Sequence, residues 1–179
     1  MRSRSTLSHA SYVLAAATIL AATPDARAGP TSGPLSAQNA RALERARAGA
    51  ALKLRKLECQ KLLTDFKDAE GHTLQYTLEK RGLSAAEYLQ TLAFVDGSRT
   101  RSCRQGAWVL LVARPGFGSV GVCPVDGRPF ESRLGQVQLR NPALAESIVI
   151  HEMLHTLGLG EDPPTSEEIT RRVRLRCGP

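Results

Sequence analysis

The residues of this chain whose types and spacing suit chemistry are His151, Glu152 and His155, in the run His151-Glu152-Met153-Leu154-His155. On an α-helix, residues four apart stand one above the other on one face, so His151 and His155 can turn ring nitrogens toward a single cation. Two neutral imidazoles so placed suit zinc. Glu152, next to the first ligand, brings a carboxylate within reach of a zinc-activated water, whose proton it can take as general base and deliver as general acid to a leaving amine. The HExxH spacing therefore predicts metal-dependent hydrolysis, with peptide bonds as the expected substrate.

A helix must hold that spacing, and its boundaries are written in the sequence. Asn141-Pro142 offers an N-cap followed by proline at the first helical position, and Gly158 is placed to end the helix. Pro163-Pro164 resets the chain, and Thr165-Ser166-Glu167-Glu168 caps a last helix whose Ile169, Val173 and Cys177 make one apolar stripe. Upstream, Ser36 to Phe66 lacks proline and is rich in Ala, Leu, Arg and Glu, which predicts one long helix. Its first half has little apolar surface beyond alanine and is expected to project or fray. Its second half is expected to dock through Leu52, Cys59, Leu62, Leu63 and Phe66. Gly71-His72 marks a turn and Thr73 to Leu78 reads as a short extended segment, while Ser84-Ala85-Ala86-Glu87 is a capping box opening a helix to about Ala93. Ala107 to Ala113 reads as a buried strand with Ser119 to Cys123 as its hairpin partner, and the alternation of Gly135 to Leu139 suggests an edge strand. The order predicts an α+β fold with a long N-terminal helix, a short mostly antiparallel sheet, the motif helix and a C-terminal helix.

The first 28 residues read as a secretory signal. Arg2 and Arg4 precede an apolar run from Tyr12 to Ala22 that is too short to span a bilayer, and Ala26-Arg27-Ala28 gives a small-x-small cleavage pattern before Gly29. Residues 29–35 form a Pro/Gly/Ser linker and 36–179 one domain. The expected location is secreted or periplasmic, with no stable membrane insertion after cleavage. All four cysteines lie downstream of the signal, and an even count in an exported chain predicts two disulfides. Cys103–Cys123, closing a hairpin, and Cys59–Cys177, tying the first helix to the last, are the favoured pairs. The formal net charge of +7 stays positive after Arg2, Arg4, Arg27 and Asp25 leave with the signal. The remaining arginines, at helical spacings and without interleaved aromatics, suit solvated faces, so no nucleic-acid partner is expected.

Two histidines do not complete a catalytic zinc site, which takes three protein ligands and leaves a fourth position open. The run from His151 through His155, Gly158 and Glu161 resembles the extended HExxHxxGxxH pattern of the metzincin branch of zincin metallopeptidases. The resemblance covers eleven residues and implies a small zincin-like domain in which the chain turns back at Gly158 and the last position binds the metal. That position is Glu161 here, where the family has His or Asp. The methionine turn of the branch is missing, because Met1 lies in the signal and Met153 inside the motif. Gluzincins take their third ligand from a Glu on a later helix, which makes Glu168 a rival to Glu161, and Asp162 is a weaker one. The resemblance further implies one catalytic zinc and a peptide or protein substrate lying along an edge strand, for which Ser119 to Val122 or Gly135 to Leu139 are candidates. The oxyanion of such a reaction needs a further donor besides the metal, and Tyr76, Tyr88, His72 and Arg140 are the available types, with no choice among them made by the sequence. The competing class is a non-catalytic, disulfide-stabilised extracellular or envelope-associated binding protein with a zincin-like fold.

Overall fold

The computed structural model describes residues 35, 37–101, 103, 111–116, 118–123 and 133–178. The expected signal peptide, nearly all of the linker, the first part of the strand expected from Ala107 and most of the loop expected after Pro124 lie outside them. Internal contacts divide the chain into Met1–Thr31 and Ser32–Pro179, and the described residues all belong to the second unit.

The fold is α+β, in the order α1 (Ala37–Leu54), α2 (Leu57–Gln60), α3 (Leu62–Asp65), α4 (Leu74–Arg81), α5 (Ala85–Thr91), β1 (Ala93–Asp96), β2 (Leu111–Ala113), β3 (Ser119–Val122), α6 (Arg133–Arg140), α7 (Pro142–Thr156) and α8 (Ser166–Cys177). The motif helix is α7. The Asn141 side chain accepts from the Leu144 N–H and Pro142 takes the first turn, as the sequence predicts. Ala145, Val149, Ile150, Met153 and Leu154 are fully buried, and α7 packs on α1, α6, α8 and β2. A helix covered on so many sides carries apolar residues around most of its circumference.

Long-range packing explains most departures from the sequence reading. The first half of α1 does not project: Ala42, Leu43, Ala46 and Ala50 are buried against α7 and its neighbours, since alanines let helices approach closely where larger side chains would hold them apart. The expected long helix breaks at Arg55 and Lys56, with Lys56 in extended backbone, and the break redirects the chain so that Cys59 points inward; Leu52, expected to dock, is 62% exposed. Leu74 to Leu78 is helical, not extended, with Thr73 accepting from the Tyr76 N–H and Gly82 closing the helix at φ 65°. Gly135–Leu139 belongs to α6 and is not a strand. Val137 packs on the core, Leu139 is 74% exposed, and the Val137 carbonyl accepts from the Asn141 N–H at 2.6 Å.

The sheet has the order β1-β3-β2 and is mixed, where a mostly antiparallel one was expected. β2 pairs antiparallel with β3, Leu111 opposite Val122, as the hairpin reading predicts, but β1 joins the other side of β3 in parallel, Ala93 opposite Ser119. Both expected disulfides form, Cys59–Cys177 between α2 and the end of α8 and Cys103–Cys123 beside the sheet. A side chain on Gly97 would collide with Cys103 Sγ at 2.9 Å, so the second bridge requires glycine there.

Candidate metal centre

Helical pitch brings His151 and His155 together on one face of α7, with their Nε2 atoms 3.0 Å apart. Beyond the helix, Gly158 adopts φ 112°, a conformation that side-chain-bearing residues avoid, and its missing Cβ would stand 3.0 Å from that of Asp68. The turn sends Leu159 to Glu161 back over the end of α7. Glu161 Oε1 then lies 3.2 Å from His155 Nε2 and 3.7 Å from His151 Nε2. These three residues form a group that can hold a metal ion, with its ligand atoms all within 4.8 Å of one another. The imidazoles are buried and the Glu161 carboxylate is exposed, so the group is open on one side.

Each imidazole is fixed through its other nitrogen. His155 Nδ1 is 2.7 Å from the Leu159 carbonyl, which can only accept, so Nδ1 carries a proton and the neutral ring keeps its lone pair on Nε2. His151 Nδ1 is 3.0 Å from the hydroxyl of Thr170 on α8. Burial disfavours the charged imidazolium and, with His155 adjoining, pulls the His151 pKa down to about 4, against the opposing pull of Glu161. The ring is therefore neutral near pH 7, the form a metal requires.

Glu152 lies outside the three-residue group. Its Oε2 accepts from the Ala113 N–H of β2 at 2.7 Å. Burial pushes the carboxyl up to about 8; the Ala113 bond opposes the rise and the Glu161 charge adds to it. β2 also reaches α7 through the loop that follows it, where the Gly116 N–H donates to the His155 carbonyl.

Of the rival ligands, Glu168 stays in the cap of α8, its N–H donated to Thr165 and its carboxylate 3.6 Å from Arg172, and Asp162 is exposed outside the group. Among the oxyanion candidates, Tyr88 is buried, with its hydroxyl donated to Thr156. His72 stacks on Tyr76 and lies 3.7 Å from the Asp68 carboxylate, and Tyr76 carries Lys80 over its ring. Arg140 ends α6, exposed. The strand expected to accept substrate, Ser119–Val122, is the central strand and is paired on both sides. Sequence reasoning missed Thr170, which carries no spacing signal because it meets His151 only through the packing of α8 on α7. It missed Ala113 for the same reason. Comparison with protein-family models, with curated proteins and with solved structures gives no match for this chain.

Proposed function

We propose that the protein is an exported zinc-dependent hydrolase of peptide bonds, with His151, His155 and Glu161 as metal ligands and Glu152 as general base and acid. The observation that carries the reading is the arrangement of the three ligand atoms. Tetrahedral zinc with bonds of about 2.0–2.2 Å needs ligand atoms about 3.3 Å apart. The separations here are 3.0, 3.2 and 3.7 Å. The donor set of two imidazoles and a carboxylate suits zinc and leaves a fourth position, as catalytic sites do. Two disulfides fit an oxidising compartment, in keeping with export.

Bound zinc would supply Lewis acidity, easing deprotonation of water and polarising the scissile carbonyl. The protein's own part is carried by Glu152. With Oε2 held by the Ala113 N–H, its other oxygen takes a proton from an attacking water once the carboxyl is ionised, a form that grows as pH rises toward and past about 8, and passes that proton to the leaving amine. β2, an edge of the described sheet beside Glu152, takes the place of β3 as the strand along which an extended substrate would lie.

The test pairs zinc analysis of the purified chain with a broad peptide-library digest of wild type and Glu152→Gln. The expected result is about one zinc per chain in both, as a three-ligand site holds, with cleavage falling by about 10²- to 10⁴-fold in the variant. A wild type that binds no zinc, or a variant that cleaves as well as wild type, defeats the proposal. Zinc retained with no cleavage by either protein favours the binding-protein reading.

A further inference from the structure

We propose that Thr170 is a positioning residue for His151 that works in both directions, donating to Nδ1 while the group is metal-free and accepting from Nδ1 once both Nε2 atoms face a cation. The inference rests on the zinc reading of the same site and adds to it a residue on a different helix.

The argument starts from His155. Its Nδ1 proton is committed to the Leu159 carbonyl, so its Nε2 presents a lone pair in any neutral state. His151 Nε2 stands 3.0 Å from that lone pair. Two bare nitrogens at hydrogen-bond distance repel, so in the metal-free neutral pair His151 carries its proton on Nε2 and donates it to His155. Glu161 Oε1, at 3.7 Å, is a second acceptor on the solvent side. His151 Nδ1 is then a bare acceptor in a buried place and needs a donor. The Thr170 hydroxyl, 3.0 Å away, is that donor.

With a cation in the group the requirement reverses. His151 must turn a lone pair on Nε2 toward the metal, so its single proton moves by solvent exchange to Nδ1, which must now donate. The ring stays neutral and no net proton is gained or lost. A carbonyl or carboxylate opposite Nδ1 would accept in this state but offer nothing in the other. A hydroxyl does both by rotating its proton. The two histidines are thus held differently: His155 has one permitted tautomer and His151 has two.

The hydroxyl sits on a well-fixed element. The first turn of α8 is capped by Thr165, Ile169 and Val173 are buried on either side of Thr170, and Cys177 is bonded to Cys59. Arg176 donates twice to Asp65, and Arg172 adds a further ion pair to the same carboxylate. Metal ligands supported in this way lose about tenfold to a hundredfold in metal affinity when the outer partner is removed.

The test uses the purified chain with both disulfides formed. Zinc affinity is measured by chelator competition for wild type, Thr170→Val and Thr170→Ser, and ring ¹⁵N shifts of His151 are recorded without and with zinc. Thermal melting confirms that each variant is folded. The expected result is a loss of about tenfold to a hundredfold in Thr170→Val, near wild-type affinity in Thr170→Ser, and a His151 proton that moves from Nε2 to Nδ1 on loading. Equal affinity in wild type and Thr170→Val, or one His151 tautomer in both states, overturns the inference while leaving the zinc reading intact. A wild type that binds no zinc overturns the zinc reading instead, and an Nδ1–H His151 in that metal-free protein overturns the role of Thr170 as well.

Discussion

Around α1, α2, α7 and α8 the core is assembled from residues far apart in sequence, and the Cys59–Cys177 bridge spans 118 positions. Around the sheet, three strands of three or four residues are joined beside a bridge that spans 20. The helices supply both imidazoles, the hydroxyl behind one of them and, just past α7, the carbonyl behind the other. From the sheet, one backbone N–H reaches Glu152. On the proposed reading, holding a cation is a property of the helical layer and the turn to Glu161 that follows α7, and moving a proton depends on where that layer meets β2.

Separate removal of the two disulfides tests this division most strongly. Loop entropy predicts a loss of about 5 kcal/mol for Cys59→Ser/Cys177→Ser and about 3 kcal/mol for Cys103→Ser/Cys123→Ser, read by chemical denaturation. Because α8 carries Thr170, the first pair should also weaken zinc binding, and the second should not. Equal effects of both on zinc would break the comparison. A smaller change isolates the sheet's contribution. Ala113→Pro removes the N–H that holds Glu152 on an edge strand, where proline is tolerated, and should slow cleavage by roughly tenfold to a hundredfold with zinc affinity kept. The smallest change falls on the helical side. Gly158→Ala places a Cβ at φ 112° and against Asp68, which should cost about 1–2 kcal/mol in thermal stability and loosen zinc through Glu161, with Glu152 untouched.

What the sequence made legible follows the same boundary between local and non-local causes. The Asn141-Pro142 start of α7, the Ser84 capping box and the Thr165 cap are each decided within four residues, and each is found. Glu161 reaches the histidines because Gly158 turns the chain within the same short stretch. Gly135–Leu139 misleads because five alternating residues fit a helix as well as a strand, and packing on α1 and α7 decides between them. Thr73 and Gly82 are the local signals that mark α4, and the β-prone Tyr76 and Thr77 obscure them. β1 has no local signature, since its partner β3 begins 26 positions later, Ser119 opposite Ala93, and pairs with it in parallel. Thr170 and Ala113, which orient His151 and Glu152, belong to the non-local class as well.

The Cys59–Cys177 bond has a topological consequence. It turns the stretch between those residues, which contains every residue assigned to the candidate site, into a covalent ring. One backbone cut inside that ring opens it without releasing a piece. The two fragments migrate together until a reductant is added, and the helices that carry His151 and Thr170 stay tethered in the nicked protein.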